Sequence, residues 1–143
     1  VWGHGKAYAM YVPQHKYGGK FLHSVAIVSC GPIIYEAVLA ALILEKEGVG
    51  VTVVNMPQVK PLDTSFLLRL AKDVRAIITV EEHQISGGLG SAVAEYLSEH
   101  HPIRIGRIGI NDRFGQSGKV QELYEEYEMT AKHIAQKVRE TLH

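Results

Sequence analysis

Short apolar runs alternate with longer segments of helical periodicity along most of the chain. Four runs predict β-strands: Val25–Cys30, Val51–Asn55, Ala76–Val80 and Ile103–Ile110. The third is apolar throughout, which is typical of a strand in a parallel sheet that helices cover on both faces. The sequence therefore predicts an α/β fold, with a mostly parallel sheet between two layers of helices.

The segments between the strands predict the helices and their ends. Ile33–Glu47 is apolar almost all the way round and stops at Gly48, so we expect this helix to be covered on several sides. Asp63 or Thr64 is expected to cap the second helix. A third helix is expected from the turn at 86–90, followed by two amphipathic helices near the C-terminus, the last of them capped by Thr130. Gly106 interrupts the alternation of the fourth strand, which predicts a β-bulge.

Residues 1–22 differ in composition from the rest of the chain. This arm holds half of all the Trp and Tyr residues, and Ala7–Val12 within it could form a short strand. So aromatic a segment needs cover, either from its own domain or from protein outside this chain. We therefore divide the chain into an arm, 1–22, and a domain, 23–143.

Length and composition narrow the class of protein. A chain of 143 residues, 46% hydrophobic and 21% charged, is typical of one globular domain. Fifteen basic residues balance fifteen acidic ones, so no bulk charge attracts nucleic acid or an anionic membrane. The single cysteine excludes a disulfide scaffold and cysteine-rich zinc modules. We expect a cytoplasmic protein without a membrane span. The first residue is Val rather than Met, as in a fragment or a processed product.

Candidate chemistry lies where the strands end, because ligands of parallel sheets gather outside the carboxyl ends of the strands. The turn before the third helix could bind a phosphate or carboxylate on its free amides, or its glycines could simply allow close packing. Its candidate residues are Ser86, Gly87, Gly88, Gly90 and Ser91.

Three other features could carry chemistry or contacts. Glu81, Glu82 and His83 offer carboxylates beside an imidazole, although neighbours on an extended segment point to opposite sides. Cys30 precedes a helix, where a thiol pKa can fall, but a lone cysteine is more often buried apolar filler. A glycine-bearing loop contains an aromatic side chain and could contact a ligand or another subunit. We assign a candidate interface to Glu82, His83, Arg113 and Phe114.

The order of these motifs resembles the C-terminal domain of transketolases and related thiamine-diphosphate-dependent enzymes. The resemblance covers residues 5–142, and it depends on the order and spacing of its motifs rather than on any one of them. The stretch Asp112–Gly118 is most similar to transketolase, especially the two-subunit kind. The other matching stretches are Gly5–Tyr8, Val54–Met56, Lys60–Asp63, Val80–His83, Gly87–Ser91, Glu122–Leu123, Tyr127–Ala131 and Ile134.

This resemblance implies a three-layer α/β/α domain with a five-stranded mixed sheet, in which one strand is antiparallel and the fifth comes from the arm or elsewhere. It also implies a parent enzyme that transfers ketol units between sugar phosphates. Thiamine diphosphate and a divalent cation, Mg²⁺ or Ca²⁺, would lie between pyrimidine-binding and diphosphate-binding domains outside this chain. The Gly-Asp-Gly signature for metal and diphosphate is absent from the sequence. We therefore assign no catalytic, cofactor-binding or metal residue here.

Three hypotheses remain open. The first is a supporting, dimer-bracing and regulatory domain of a transketolase, in a homodimer or heterotetramer. Deoxyxylulose-phosphate synthases and 2-oxo-acid dehydrogenase β subunits are sister alternatives that share this domain. The second is a stand-alone anion-binding module that uses Gly87–Gly90. The third is a cysteine-dependent enzyme built on Cys30 and His83.

Overall fold

Strands and helices alternate along the chain, as the sequence predicts. The computed structural model describes residues 6–14, 21, 23–84, 88–110 and 120–143. β2, β3 and β4 are each longer than the apolar run that predicted them. The elements are β1 (Tyr8–Tyr11), β2 (His23–Ser29), α1 (Ile34–Glu45), β3 (Val49–Asn55), α2 (Thr64–Asp73), β4 (Ala76–Gln84), α3 (Leu89–His100), β5 (Arg104–Ile110), α4 (Val120–Glu126) and α5 (Ala131–Leu142).

The strands form one mixed sheet of five strands in the order β1-β3-β2-β4-β5. β2 pairs in parallel with both β3 and β4, and β5 pairs in parallel with β4. β1 is antiparallel to β3, with Tyr8 opposite Asn55. Tyr8–Tyr11 of the arm therefore supply the antiparallel fifth strand and pair with the domain's own sheet.

Helices bury both faces of this sheet, and alternate residues of each central strand serve opposite faces. Val25 and Ile27 of β2 pack with α1 and α5 in one core. Ala26 and Val28 pack with α2 and α3 in the other. The three-layer α/β/α arrangement is confirmed, and it explains why the central strands are apolar at consecutive positions.

Local signals end the helices where the sequence predicts. The Asp63 carboxylate caps α2 by accepting the Phe66 amide at 3.3 Å, and its other oxygen accepts the amide of Ala7 at 2.9 Å. Gly48 follows α1 with a φ of 85°, a left-handed conformation that suits glycine. Thr130 is the N-cap residue of α5, but its hydroxyl lies 2.7 Å from the His133 ring nitrogen instead of bonding an amide.

The expected cover of α1 is present on one side only. Its inner residues are buried against the sheet and α5: Ile34, Ala37, Ala40, Ala41 and Leu44. Its outer residues are large and apolar yet exposed: Tyr35, Leu39, Leu42 and Ile43. Over the described ranges, no helix is long and apolar enough to cross a bilayer.

The β-bulge predicted at Gly106 is wrong. Gly106 pairs directly with Ile78, and the register with β4 is continuous from Arg104 to Ile108. A Cβ atom at this position would lie 2.4 Å from Thr141 Oγ1 on α5. The glycine therefore allows a close approach of helix and strand, and the apparent slip in alternation reflects that packing.

Gly106→Ala should lower the free energy of unfolding by about 1–3 kcal/mol, because the new methyl group overlaps the Thr141 hydroxyl. Thr141→Ala removes that oxygen, so the double variant should recover most of the loss. Urea unfolding of the four proteins in a double-mutant cycle measures the coupling. Strictly additive effects would contradict the proposed contact.

Candidate functional site

The amides that open α3 bind an anion from within the chain. The two oxygens of the Glu81 carboxylate accept the amides of Leu89 and Gly90, each at 2.8 Å. Glu81 lies on β4 and is only 3% exposed. The first amides of a helix carry partial positive charge and lack helical partners, so a carboxylate here satisfies both and compensates the helix dipole.

Gly90 is the point where this helix start meets the sheet. A Cβ atom on Gly90 would lie 2.7 Å from Thr79 Oγ1, 2.9 Å from Arg107 Nε and 3.2 Å from Glu81 Oε2. Arg107 also donates to the Ser91 hydroxyl at 2.6 Å. We call these five residues the α3 cluster. The close-packing explanation is confirmed for Gly90, since polar side chains occupy the space that a larger residue would fill.

The α3 cluster also contains a basic side chain and a buried hydroxyl. A guanidinium nitrogen of Arg107 and an oxygen of Glu81 both lie close to the position that a Cβ atom on Gly90 would take. Thr79 Oγ1 is buried there without a hydrogen-bond partner among the described residues. The arrangement is a close polar contact between strand and helix, in which the α3 amides satisfy the Glu81 carboxylate.

An external anion at this turn therefore stays a prediction, with less capacity than the sequence suggested. Ser86 and Gly87 lie outside the described residues, and Gly88 is the N-cap residue of α3. Two of the amides that would bind a phosphate already bind Glu81.

A second cluster lies on the opposite face of β4. The Tyr124 hydroxyl, on α4, donates a short hydrogen bond to the Glu82 carboxylate. Burial raises the pKa of Tyr124, and the bond to Glu82 and its charge raise it further. The charge of the same carboxylate also raises the pKa of Cys30, which lies just after β2. We call Cys30, Glu82 and Tyr124 the edge cluster.

The edge cluster does not activate a thiol. Burial raises the pKa of Cys30, and the negative charge of Glu82 raises it further. Of the two possibilities that the sequence left open for Cys30, a lowered thiol pKa is therefore not supported, because desolvation and a nearby carboxylate both oppose the thiolate. The His83 side chain, the proposed base, lies outside the part of the chain that the structure describes. Nothing in the described geometry supports a cysteine-dependent enzyme.

The pair of neighbouring carboxylates does not converge either. Glu81 points to the α2–α3 face, where it bonds α3, and Glu82 points to the other face, where it bonds Tyr124. The strict alternation along β4 produces this separation. The candidate interface at Glu82 and His83 stays a prediction, and its other members, Arg113 and Phe114, lie outside the described residues.

Sequence reasoning missed Thr79, Arg107 and Tyr124 as partners of this edge. The sequence contained one signal for Thr79. It precedes Glu81 by two residues on the same strand, and residues at that spacing lie on the same face of a sheet. Tyr124 was expected only as part of an amphipathic helix stripe. Its pairing with Glu82 depends on where α4 packs, which no local pattern specifies.

Metal ligation has no support within the described ranges. There, no group of three His, Cys, Asp or Glu side chains lies close enough to hold an ion. The residues present also fit a diphosphate poorly, because the paired amides of α3 are occupied by a carboxylate.

Comparison with known families agrees with this geometry. The family profile described as "Transketolase, C-terminal domain" matches residues 22–134. The chain is similar to a 6-deoxy-6-sulfo-D-fructose transketolase subunit of Clostridium sp. (strain MSTE9), with 40% identity over 116 residues, which is 81% of this chain and 36% of that protein. It is also similar to a 1-deoxy-D-xylulose-5-phosphate synthase of Syntrophus aciditrophicus, 41% identical over 118 residues, or 81% of this chain and 18% of that one.

A solved structure supports the same fold. It is titled as a split gene transketolase in an inactive beta4 tetramer. The TM-score is 0.84 at 38% sequence identity, and the match covers 99% of this chain and 43% of that one. The chain thus spans between about a fifth and two-fifths of the length of the relatives and the structure compared.

Glu81→Ala should destabilise the fold by about 2–4 kcal/mol, because it removes a charged acceptor from two buried amides. Glu81→Gln keeps one acceptor oxygen and should cost less. Urea unfolding measures both, with Glu99→Ala as a control at an exposed site on α3, the helix that Glu81 caps. A loss no larger than that of Glu99→Ala would contradict the capping role.

The thiol of Cys30 should have a higher pKa than an ordinary free cysteine, and Glu82→Gln should lower that pKa. A raised pKa means less thiolate at pH 8, so the variant should be alkylated faster than the parent at that pH. The pH dependence of the iodoacetamide rate measures the midpoint. Glu125→Gln removes an exposed carboxylate from α4 and should leave it unchanged. An unchanged midpoint in Glu82→Gln would refute the assigned influence of Glu82.

Proposed function

The chain belongs to the transketolase C-terminal domain family, and from that membership we propose that it is the supporting domain of a thiamine-diphosphate-dependent transketolase. In this proposal the parent enzyme transfers ketol units between sugar phosphates. The present chain braces the assembly and does not itself bind the cofactor or the substrates.

One observation carries this proposal: the polar side chains at the carboxyl ends of the strands are hydrogen-bonded to other groups of the same chain. Open parallel sheets bind ligands outside the carboxyl ends of their strands. Here Glu81 is bonded to the amides of α3, Glu82 to the Tyr124 hydroxyl, and the Ser29 hydroxyl to the Val80 carbonyl at 2.8 Å. Polar groups that are already hydrogen-bonded within the chain favour a structural role for this domain over a catalytic one.

The cofactor itself is proposed to bind elsewhere. Thiamine diphosphate with Mg²⁺ or Ca²⁺ requires a cluster of oxygen ligands for the ion and free donors for the phosphates. The described residues offer neither, because no acidic cluster converges and the amides of Leu89 and Gly90 are already bonded. In this proposal no residue of the chain takes part in the transfer chemistry.

The partners we propose are the pyrimidine-binding and diphosphate-binding domains, on the same polypeptide or on a second subunit. One relative is named a transketolase subunit, and another, from Methanocaldococcus jannaschii, a putative transketolase C-terminal section. Both names favour an enzyme divided between polypeptides. A homodimer or heterotetramer in the cytoplasm is the assembly we expect.

A deoxyxylulose-phosphate synthase remains the alternative parent. The synthase of S. aciditrophicus and the transketolase subunit of Clostridium match this chain at nearly the same identity. The supporting role is the same in either parent, so the test below addresses that role first.

Calorimetric titration of the 143-residue chain with thiamine diphosphate, in Mg²⁺ or Ca²⁺, should give no binding heat. The chain alone should release no aldose phosphate from a ketose phosphate donor. Mixed with a polypeptide that carries the pyrimidine-binding and diphosphate-binding domains, it should yield transfer that neither component gives alone. Cofactor binding or turnover by the isolated chain would refute the proposal, and so would full activity of the other polypeptide without it.

A further inference from the structure

A cavity of about 370 Å³ lies between the end of β5, the connection from α4 to α5 at 127–130, and α5 itself. Its volume is within the range of small-molecule sites in proteins. Each of the three elements supplies two of the lining residues that matter below: Ile108 and Gly109 from β5, Tyr127 and Glu128 from the connection, and His133 and Lys137 from α5.

Four charged side chains line this cavity, and two of them already have partners in the chain. Arg107 donates to a serine hydroxyl at 2.6 Å, and Glu140 accepts a hydrogen bond from a glutamine amide at 3.5 Å. The other two are Lys137 and Glu128, which within the described ranges make no ion pair, with each other or with another residue. One cavity is therefore lined by an ammonium and a carboxylate that do not meet.

Lys137 is held in place along its stem. The residue is half-buried, and its Cε atom lies 3.4 Å from the position that a Cβ atom on Gly106 would take. His133 precedes it by four residues, so both lie on the same side of α5. The Nδ1 atom of His133 lies 2.7 Å from the Thr130 hydroxyl, which orients the ring and leaves Nε2 for another partner. Together these two side chains can bind a carboxylate.

Glu128 occupies a backbone position that the fold would fill more easily with glycine. The Met129 amide donates to the Tyr124 carbonyl at 2.7 Å and the Glu128 amide to the Glu125 carbonyl at 3.2 Å, which are the two hydrogen bonds of a Schellman turn. Glu128 is the residue after the helix cap and has a φ of 56°. A side chain is disfavoured in this left-handed conformation, so the end of α4 does not explain why a carboxylate stands here.

We propose that this cavity binds a free α-amino acid with an apolar side chain. The carboxylate of the amino acid would bond Lys137 and His133, and its ammonium group would bond Glu128. The apolar side chain would lie against Ile108 and the ring of Tyr127. A zwitterion suits the cavity because a simple anion would be repelled by Glu128 and a simple cation by Lys137. The proposal is independent of the proposed transketolase role.

Titration of the ¹⁵N-labelled 143-residue chain with L-leucine, up to about 20 mM, tests the site. The amide signals of Gly109, Glu128 and Lys137 should shift to saturation, with a dissociation constant on the order of 1 mM. N-acetyl-L-leucine lacks the ammonium group and L-leucinamide lacks the carboxylate, so each should bind at least about tenfold more weakly. Absence of these shifts with L-leucine would overturn the proposal. Equal binding of either analogue, or of inorganic phosphate, would also overturn it.

Lys137→Gln and Glu128→Gln should each raise the dissociation constant for L-leucine at least about tenfold, because each removes one charge pair. Lys132→Gln and Glu125→Gln remove the same charges from exposed positions of α5 and α4, and both should bind like the parent.

Glu128→Gly separates a binding role from a structural one. It relieves the left-handed backbone, so it should raise the urea midpoint of unfolding while it weakens L-leucine binding as Glu128→Gln does. Because this variant is expected to be more stable than the parent, lost binding cannot be attributed to lost folding. Parent-like affinity in Glu128→Gly, or in a Lys137→Gln protein that urea unfolding shows to be folded, would refute the site.

Discussion

A parallel sheet covered on both faces leaves no solvent for the side chains that point away from its strands. Each such side chain must be apolar or must find a partner in the adjacent helix layer. On β4 this constraint applies to two consecutive carboxylates. Glu81 is buried against the first amides of α3, and Glu82 bonds Tyr124 on the opposite face. β4 thus contacts the first turn of α3 through Glu81 and contacts α4 through Glu82. The same strand therefore links the two helix layers.

Much of this fold could be predicted from the sequence, because its determinants are local. The apolar run Ala76–Val80 indicates a doubly covered strand, and Asp63 and Gly48 mark helix ends by their own chemistry. The predictions are wrong where the role of a residue depends on its contact with an element distant in the sequence. Gly106 was interpreted as a bulge from its own strand, whereas its small size is required by Thr141 on α5. Strand ends were underestimated for a similar reason, since residues 81–84 of β4 are polar and extend the strand through long-range pairing.

The candidate site was predicted less completely than the fold. The positions of Cys30 and the Glu81–Glu82 pair at adjacent strand ends follow from parallel pairing of β2 with β4. Their protonation behaviour does not, because it depends on burial and on which carboxylate acts on the thiol. The sequence left open whether the start of α3 binds an anion or only packs closely, and in the fold a glutamate eight residues earlier in the chain accepts its first amide. The general rule identified the chemistry, and only the fold could identify the ligand.

The family relationship also explains why the core and the surface carry different information. Relatives named for different reactions match this chain about equally well, so the shared core does not select a substrate. The core requires Ala37, Ala40 and Leu44 on the inner side of α1. The packing of the core does not require apolar residues on its outer side. Leu39 and Leu42 nevertheless leave 50% and 42% of their surfaces exposed there. The packing of this domain alone therefore does not explain the apolar side chains on the outer side of α1.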